Sequence, residues 1–290
     1  MRRRPDNNQP EYSIPIDEDG YPIEDEPEEL PDQRQERKKT GRFVRKLLLR
    51  LCIVGIILLM IEFAILLYSG QIWFNEPKKK DYPVRGPVMD DKGGEIYWSK
   101  FSKLNIQMCY LRATKSTSYV DESFEKNKEG AFHSRIPVGA IHIFDIRSDG
   151  KAQAENFLSA VGDMEGWLVP AVEVSPGLFD RLFAPDVNKV GTNLRDFVNT
   201  VKEKTGVCPV IKCSSGAYDK YIKGEFSDCM LWYESLYSEP DDSIDWTFWE
   251  YTSRTKLSSY EHDSHRLHMS VYRYGEDEFG KLIVNRKDTL

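Results

Sequence analysis

One apolar run ends in residue types that can do acid–base chemistry. The run Trp167 to Pro176 reads WLVPAVEVSP, with Glu173 and Ser175 near its end. Its composition predicts a buried strand, and residues two apart on a strand share a face, so these two side chains should point the same way. In a parallel β/α barrel the chemistry lies at the carboxyl ends of the strands. Two carboxylates there can cleave a glycosidic bond, but here only Glu173 is acidic.

The chain around this strand divides into regions of different composition. Its 290 residues carry a net charge of −7 and 40 % hydrophobic residues. Residues 1–46 are rich in Pro, Asp and Glu and lack a core-forming pattern, which predicts a disordered tail. We expect a transmembrane helix at 47–68, a linker at 69–83, a folded barrel at 84–274 and a C-terminal extension at 275–290. We do not expect nucleic acid as a partner, because the chain has a net negative charge and phosphate binding needs a basic face.

The apolar segment Leu47 to Tyr68 predicts one membrane span. About 22 apolar residues suffice to cross a bilayer as a helix. A basic cluster precedes the segment (Arg34, Arg37, Lys38, Lys39, Arg42, Arg45 and Lys46). Positive charge stays on the cytoplasmic side, so we expect a single-pass protein of the inner (plasma) membrane with a cytoplasmic N-terminus. The C-terminal part would then lie in the periplasm or another extracytoplasmic space.

Strand-like and helix-like stretches alternate from residue 84 onward. Four amphipathic helices are predicted at Tyr97 to Leu104, Asp121 to Phe132, Lys151 to Val161 and Thr192 to Thr205, the last with Thr192 as N-cap and Gly206 as its end. The pattern predicts an α/β fold, a β/α barrel whose last third lacks full helices. A doubly wound open sheet fits the same alternation, so both architectures stay open. Eight strands are predicted, near Val84 to Met89, Gln107 to Leu111, Val138 to Phe144, Val169 to Val174, Pro209 to Cys213, Cys229 to Tyr233, Thr247 to Tyr251 and His268 to Tyr272.

Six segments in order resemble the signatures of glycoside hydrolase family 25, the muramidase-type lysozymes. The resemblance covers nearly all of residues 84–274, and it implies an irregular (β/α)5(β)3 barrel. It also implies cleavage of the bond between N-acetylmuramic acid and N-acetylglucosamine in peptidoglycan. The segments are LRATKSTSYVDESFEKN (Leu111 to Asn127), VGAIHIF (Val138 to Phe144), QAENF (Gln153 to Phe157), TGVCPVI (Thr205 to Ile211), LWYESLY (Leu231 to Tyr237) and WTFWEYTS (Trp246 to Ser253).

The catalytic positions that the resemblance implies are largely replaced in this chain. Val88 stands where the family has a first-strand aspartate, and His268 stands where it has a last-strand aspartate. The family's Asp-x-Glu pair reads Glu173 and Ser175 here, so a serine replaces the general acid. Losing a positioned general acid costs on the order of 10² to 10⁴ in rate. The resemblance therefore predicts a lysozyme-like domain with lost or much reduced muramidase activity and Glu173 as a possible remnant.

Other side chains are candidates for a restored acid or for sugar contact. Glu234, Glu250 and Asp145 lie at or after predicted strand ends, where a relocated acid would be placed. Aromatic faces stack on pyranose rings, and the family histidine is kept, which gives a set of sugar-contact candidates: His142, Trp232, Tyr233, Trp249 and Tyr251. Three hypotheses remain: a barrel that binds peptidoglycan or an envelope protein, an active N-acetylmuramidase using Glu173 with a relocated acid, and an envelope scaffold without sugar affinity.

Cysteine and histidine spacing gives no metal or cofactor motif. Cys208 and Cys213 are too far apart for a C-x-x-C site. Cys208 and Cys229 can pair if they begin neighbouring parallel strands, but unpaired buried thiols are the simpler interpretation. His262, Asp263, His265 and His268 are dense in ligand types but fit no zinc motif. We expect neither a metal nor a cofactor.

Overall fold

The computed structural model describes Ile16, Tyr21 and residues 31–69, 72–183, 185–262 and 265–285, with only the backbone at 31, 33, 91, 179 and 181. By contacts the chain forms two compact units, Met1–Ala64 and Ile65–Leu290. The first unit contains most of one long helix, and the second contains the barrel. Most of the predicted tail and Asp263 lie outside the described residues.

Helix α1 (Pro31–Ser69) contains the predicted apolar segment. Its stretch Arg34–Ser69 has a mean hydropathy of 2.8 over its most apolar window and is long enough to cross a membrane. Length and composition of this kind also suit a signal sequence near an N-terminus. The helix begins at Pro31, so the basic cluster from Arg34 to Lys46 is helical and does not belong to a disordered tail as predicted.

The second unit is a closed barrel of eight strands. Strand β1 pairs in parallel with β2 and antiparallel with β9, which closes the sheet and rules out the open-sheet alternative. The order around the barrel is β1-β9-β8-β7-β6-β5-β4-β2, and the short β3 extends the sheet beyond β2. The predicted barrel is confirmed. The strands are β1 (Arg85–Met89), β2 (Cys109–Lys115), β3 (Tyr119–Val120), β4 (Val138–Ile143), β5 (Ala171–Val174), β6 (Val210–Ser214), β7 (Leu231–Glu234), β8 (Phe248–Thr255) and β9 (Leu267–Tyr272).

Helices surround mainly the first five strands, as the alternation predicted. Helix α6 begins earlier than predicted, because Asp186 accepts hydrogen bonds from the amides of Asn188 and Lys189 and is the N-cap. Thr192 lies inside the helix and donates its hydroxyl to the carbonyl of Asn188. The helices are α2 (Trp98–Phe101), α3 (Phe124–Ser134), α4 (Gly150–Val161), α5 (Leu178–Leu182), α6 (Val187–Thr205), α7 (Ser215–Ala217), which continues into a π-helical turn, and α8 (Glu276–Phe279).

Aromatic side chains fill the centre of the barrel. Tyr110, Trp232 and Phe248 come from three strands, and ring centroids lie 4.9 Å apart for Tyr110 and Trp232 and 5.2 Å apart for Trp232 and Phe248. The predicted C-terminal extension packs against this interior, because Phe279 and Leu282 are buried in the same cluster. The amide of Val169 donates to the carbonyl of Leu282 at 2.8 Å. Residues after 274 therefore close the amino end of the barrel.

Cys208 and Cys229 form a disulfide. Each lies just before a strand, β6 and β7, and these strands are parallel neighbours. The geometric condition for pairing is therefore met, and the interpretation of both as unpaired thiols is wrong. Cys52, Cys109 and Cys213 are free thiols among the described residues.

Candidate functional site

Charged side chains occupy the carboxyl end of the barrel above the aromatic centre. Glu173 on β5 is in register with Lys212 on β6, so in parallel strands their side chains share a face. Glu250 on β8 is in register with Glu234 on β7 and with Ser270 on β9. The antiparallel strand β9 adds His268, opposite Val88 of β1. The closed barrel thus brings together four of the predicted positions and one lysine.

Lys212 is the centre of this group. Its Nζ lies 3.0 Å from Oε2 of Glu173 and 3.0 Å from Oε2 of Glu250. The two carboxylate oxygens are therefore at most 6.0 Å apart, with the ammonium between them. Lys212 is 2 % exposed and Glu250 is fully buried. Burial alone would lower the pKa of Lys212, but the attraction of Glu173 and Glu250 outweighs it and raises that pKa.

His268 extends the network toward solvent. Its Nδ1 lies 2.5 Å from Oε1 of Glu250, and its side chain is 40 % exposed. Burial lowers the pKa of His268, but the charge of Glu250 and the hydrogen bond to it raise that pKa overall. Burial of Glu250 favours its neutral form, yet Lys212 and His268 lower its pKa to about 2. Glu250 is therefore a firmly ionised partner of two cations and not a proton donor.

Glu234 differs from the other two glutamates. It ends β7 and is half-buried. Burial raises its pKa, and the negative charge of Glu250 raises it further, while Lys212 acts in the opposite direction. The raised pKa makes Glu234 better suited than Glu250 to carry a proton.

Val88 and Ser175 have no carboxyl group, and the carboxylate of Asp145 is held by hydrogen bonds. Val88 is 5 % exposed and packs in the barrel interior. Ser175 follows β5 and is exposed, so it does not share the burial of Glu173. Asp145 after β4 accepts from the hydroxyls of Ser116 and Ser148, at 3.0 and 2.6 Å. These hydrogen bonds outweigh burial and lower its pKa, so Asp145 organises a turn and is not placed as an acid.

His142 does not face the barrel interior, which corrects its proposed contact with sugar. It is fully buried between the sheet and the helices, with its ring 4.9 Å from that of Phe197. Nδ1 lies 2.7 Å from Oγ1 of Thr114, and Nε2 lies 3.2 Å from Oε1 of Gln153. Burial lowers its pKa to about 4, against the effect of the Gln153 hydrogen bond. Since side chains alternate along a strand, the neighbouring Ile141 faces inward instead.

The four aromatic candidates are also buried, and the structure offers none of their faces to a ligand. Trp232 lies in the barrel centre and donates Nε1–H to Oγ of Ser270 at 2.9 Å. The side chains of Tyr233, Trp249 and Tyr251 point away from the barrel interior. They pack in the hydrophobic core outside the sheet, and each is at most 8 % exposed. They stabilise the barrel wall.

A second charged group lies at the end of β1. Asp90 Oδ2 lies 3.0 Å from Nη1 of Arg112, and Asp90 Oδ1 lies 3.0 Å from Nε2 of His265. A two-residue step keeps the strand face, so Asp90 lies beyond Val88 and is held by two basic side chains. Sequence reasoning missed Arg112 and Lys212. The available signal for Lys212 was a lone lysine inside the apolar run PVIKC.

The histidine-rich segment does not gather into a metal site among the residues described. Elsewhere among the described residues, Cys208, Asp228 and Cys229 bring three ligand-type side chains close together. The two cysteines are bonded to each other, and Asp228 pairs with Arg195 at 2.9 Å. The donor set is therefore already used within the protein.

A β/α barrel with acidic side chains at the carboxyl ends of its strands has the architecture of a glycoside hydrolase. The profile described as "Glycosyl hydrolases family 25" matches residues 91–260, and the chain belongs to this family.

Solved and curated relatives agree with this assignment. A family 25 glycosyl hydrolase from Bacillus anthracis superposes with a TM-score of 0.66 at 28 % identity, over 71 % of this chain and 96 % of that one. A lysozyme from Streptomyces coelicolor shares the fold, with a TM-score of 0.62 at 22 % identity over 69 % and 96 % of the chains. Lysozyme M1 of Streptomyces globisporus is 27 % identical over 63 % of this chain and 66 % of its own length.

Proposed function

We propose that this chain is a single-pass membrane protein whose family 25 barrel binds peptidoglycan glycan strands, with muramidase turnover lost or strongly reduced. The likeness to Lysozyme M1 and membership of family 25 support peptidoglycan as the ligand class. The apolar helix α1 and the basic cluster before its apolar part support an anchor with a cytoplasmic N-terminus and an extracytoplasmic barrel.

The placement of Lys212 carries the proposal for lost turnover. A glycosidase needs one carboxyl that carries a proton and one carboxylate that is free to approach the sugar. Glu173 and Glu250 are both paired with the buried ammonium of Lys212, so neither carboxylate is free to approach a sugar. Protonating either would deprive a buried cation of a partner, which is costly. Both carboxylates are therefore ion-pair partners of Lys212.

Two assays on the full-length chain in detergent micelles test the proposal. We expect intact sacculi to retain the protein and to release no new reducing ends above a buffer blank. Robust release that Glu173→Gln abolishes would overturn the loss of turnover. Absence of retention even at low salt would overturn sugar binding and favour the third hypothesis, a scaffold for an envelope protein. A Glu225→Gln variant, which removes an exposed carboxylate in the segment between β6 and β7, is the matched control.

A second candidate function is an active N-acetylmuramidase with a relocated acid. The observation that favours it is the raised pKa of Glu234, half-buried at the end of β7. A general acid works best when its pKa is shifted toward the working pH. In that case Glu234→Gln would abolish release of reducing ends from sacculi while Glu225→Gln would not. Equal release by both variants would exclude Glu234 as the acid.

A further inference from the structure

The barrel unit has a cationic cavity beside the end of helix α1. The cavity measures about 570 Å³ and is lined by residues of the unit 65–290, including Ser69, the last residue of the helix. Four cationic side chains and one carboxylate, Glu76, line it. In a chain whose net charge is −7, such a local excess of positive charge favours an anionic ligand. The cations are Lys79, Arg85, Arg254 and Lys256.

The cations become more buried from the rim inward. Lys79 and Lys256 are exposed, Arg254 is half-buried, and Arg85 is 3 % exposed. The guanidinium of Arg85 donates to the carbonyls of Pro77 and Tyr82, and its nearest carboxylate is that of Glu76 at 3.6 Å. Its Nε has no hydrogen-bond acceptor among the described residues. A buried guanidinium with one long, partly exposed ion pair retains capacity for a further anion.

Aromatic side chains surround the same region. Trp73 lines the cavity and donates Nε1–H to the carbonyl of Tyr251 at 2.9 Å. Its ring stacks on Phe74, which is 63 % exposed, and Phe74 in turn lies against Tyr237, which is 69 % exposed. Trp and Tyr side chains are enriched at the interface between a membrane and water, and Trp73 and Tyr237 are of these types.

Arg254 connects the cavity to the last turn of α1. Its Nη1 donates to the carbonyl of Leu67 at 2.8 Å, a favourable position at the negative end of a helix. The guanidinium also lies 5.3 Å from the ring centroid of Tyr68 and 5.6 Å from that of Trp73. Because Leu67 and Tyr68 lie in the last turn of α1, a membrane crossed by α1 would have its headgroups within a few residues of the cavity.

We infer that this cavity binds the phosphate headgroup of an anionic phospholipid in the leaflet from which the barrel emerges. The inference rests on the membrane anchor of the proposed function. Lys79, Arg254 and Lys256 would contact the phosphate and its oxygens, with Arg85 as the buried charge behind them. Phe74 and Tyr237 would rest at the level of the headgroups. Lipid binding would hold the barrel against the bilayer in one orientation.

Native mass spectrometry of the full-length chain tests the inference. The chain is purified in detergent and supplied with equal amounts of dioleoyl phosphatidylglycerol and dioleoyl phosphatidylcholine. We expect retention of the phosphatidylglycerol to exceed that of phosphatidylcholine about tenfold, and Lys79→Gln combined with Lys256→Gln to bring the two close to equality. Lys189→Gln combined with Lys223→Gln removes the same charge from exposed sites elsewhere and should leave the preference unchanged.

Three results would overturn the headgroup site. They are equal retention of both lipids by the unmodified chain, an equal loss in the control variant, and displacement of the lipid by an equimolar amount of inorganic phosphate, which would assign the cavity to a free anion. Carbonate extraction of membranes tests the anchor separately, since release of the chain would contradict the membrane span itself. The lipid measurement does not depend on sugar binding. A failure of the sacculus assay can therefore be told apart from a failure of lipid binding.

Discussion

Lys212 pairs with two carboxylates at the carboxyl end of the barrel. The cost of burying an ammonium is offset here by Glu173 and Glu250, each 3.0 Å away. The lysine also explains how a buried, fully ionised Glu250 is tolerated in the barrel. The same three residues therefore have a structural role that is independent of any catalysis.

Replacing Lys212 by methionine should destabilise the fold by about 3–5 kcal/mol, because it leaves two buried carboxylates without their cation. Urea unfolding at pH 7 measures the change. Lys212→Met combined with Glu250→Gln should recover part of the loss, whereas Lys189→Met, at an exposed helical site, should stay within about 0.5 kcal/mol of the unmodified chain. A small effect of Lys212→Met alone would contradict the ion network.

The pair of His268 and Glu250 predicts a pH dependence of stability. The pKa of His268 is raised above its ordinary 6.5, so its protonated ring stabilises the fold below pH 6.5, and this stabilisation is lost as the pH rises through the folded-state pKa. The difference in unfolding free energy between the unmodified chain and His268→Gln should therefore shrink above pH 6.5. Urea titrations from pH 5 to 9 measure it. His133→Gln, at an exposed position of α3, should show no such trend.

At the scale of elements, helix α6 shows how capping fixes a boundary that periodicity leaves open. Thr192 precedes an apolar stripe and resembles an N-cap in the sequence. In the structure the N-cap is instead Asp186. Its carboxylate accepts hydrogen bonds from the amides of Asn188 and Lys189 at 2.9 and 3.1 Å. The first turn of the helix carries few buried side chains, so the periodic pattern does not mark it.

Asp186→Ala should destabilise the protein by about 1 kcal/mol, because two amides of the first turn lose their acceptor. Thermal or urea unfolding detects a change of this size. Thr192→Ala is the matched control and should be close to neutral, since its hydroxyl bonds a carbonyl within the helix. The reverse order of the two effects would place the functional cap at Thr192.

At the scale of the whole molecule, the barrel needs its C-terminal segment. Leu282 is 6 % exposed, and Val284 is 5 % exposed, both against the interior cluster that contains Trp232. The amide of Val284 donates to the carbonyl of Trp167 at 2.7 Å. The segment therefore closes the amino end of the barrel, opposite the charged end, and extends the folded unit past residue 274.

Leu282→Ala should cost about 2–4 kcal/mol of stability, because it opens a cavity below the aromatic centre. Lys281→Ala, at the neighbouring exposed position, should change stability by less than about 0.5 kcal/mol. Denaturant unfolding of both variants makes the comparison. Equal and small effects would show that the segment is dispensable for the barrel.

Much of the fold was predictable from local pattern. All eight barrel strands overlap a predicted strand, since a buried strand is a short apolar run whatever its neighbours are. The candidate site was less predictable. The sequence placed four site residues at strand ends: Glu173, Glu234, Glu250 and His268. It did not show which face of the sheet His142 and Trp249 occupy, because a strand that is apolar on both faces does not reveal which residues point inward.

The sequence by itself determined the family, the order of strands and helices, the apolar helix and the absence of an acid at Val88, Ser175 and His268. These are properties of residue type and local spacing. Only the tertiary structure decided that Lys212 lies between Glu173 and Glu250, that Cys208 bonds Cys229, and that residues after 274 close the barrel. Each of these joins strands or segments far apart in the chain, and barrel closure and register, which local spacing does not encode, set their distances.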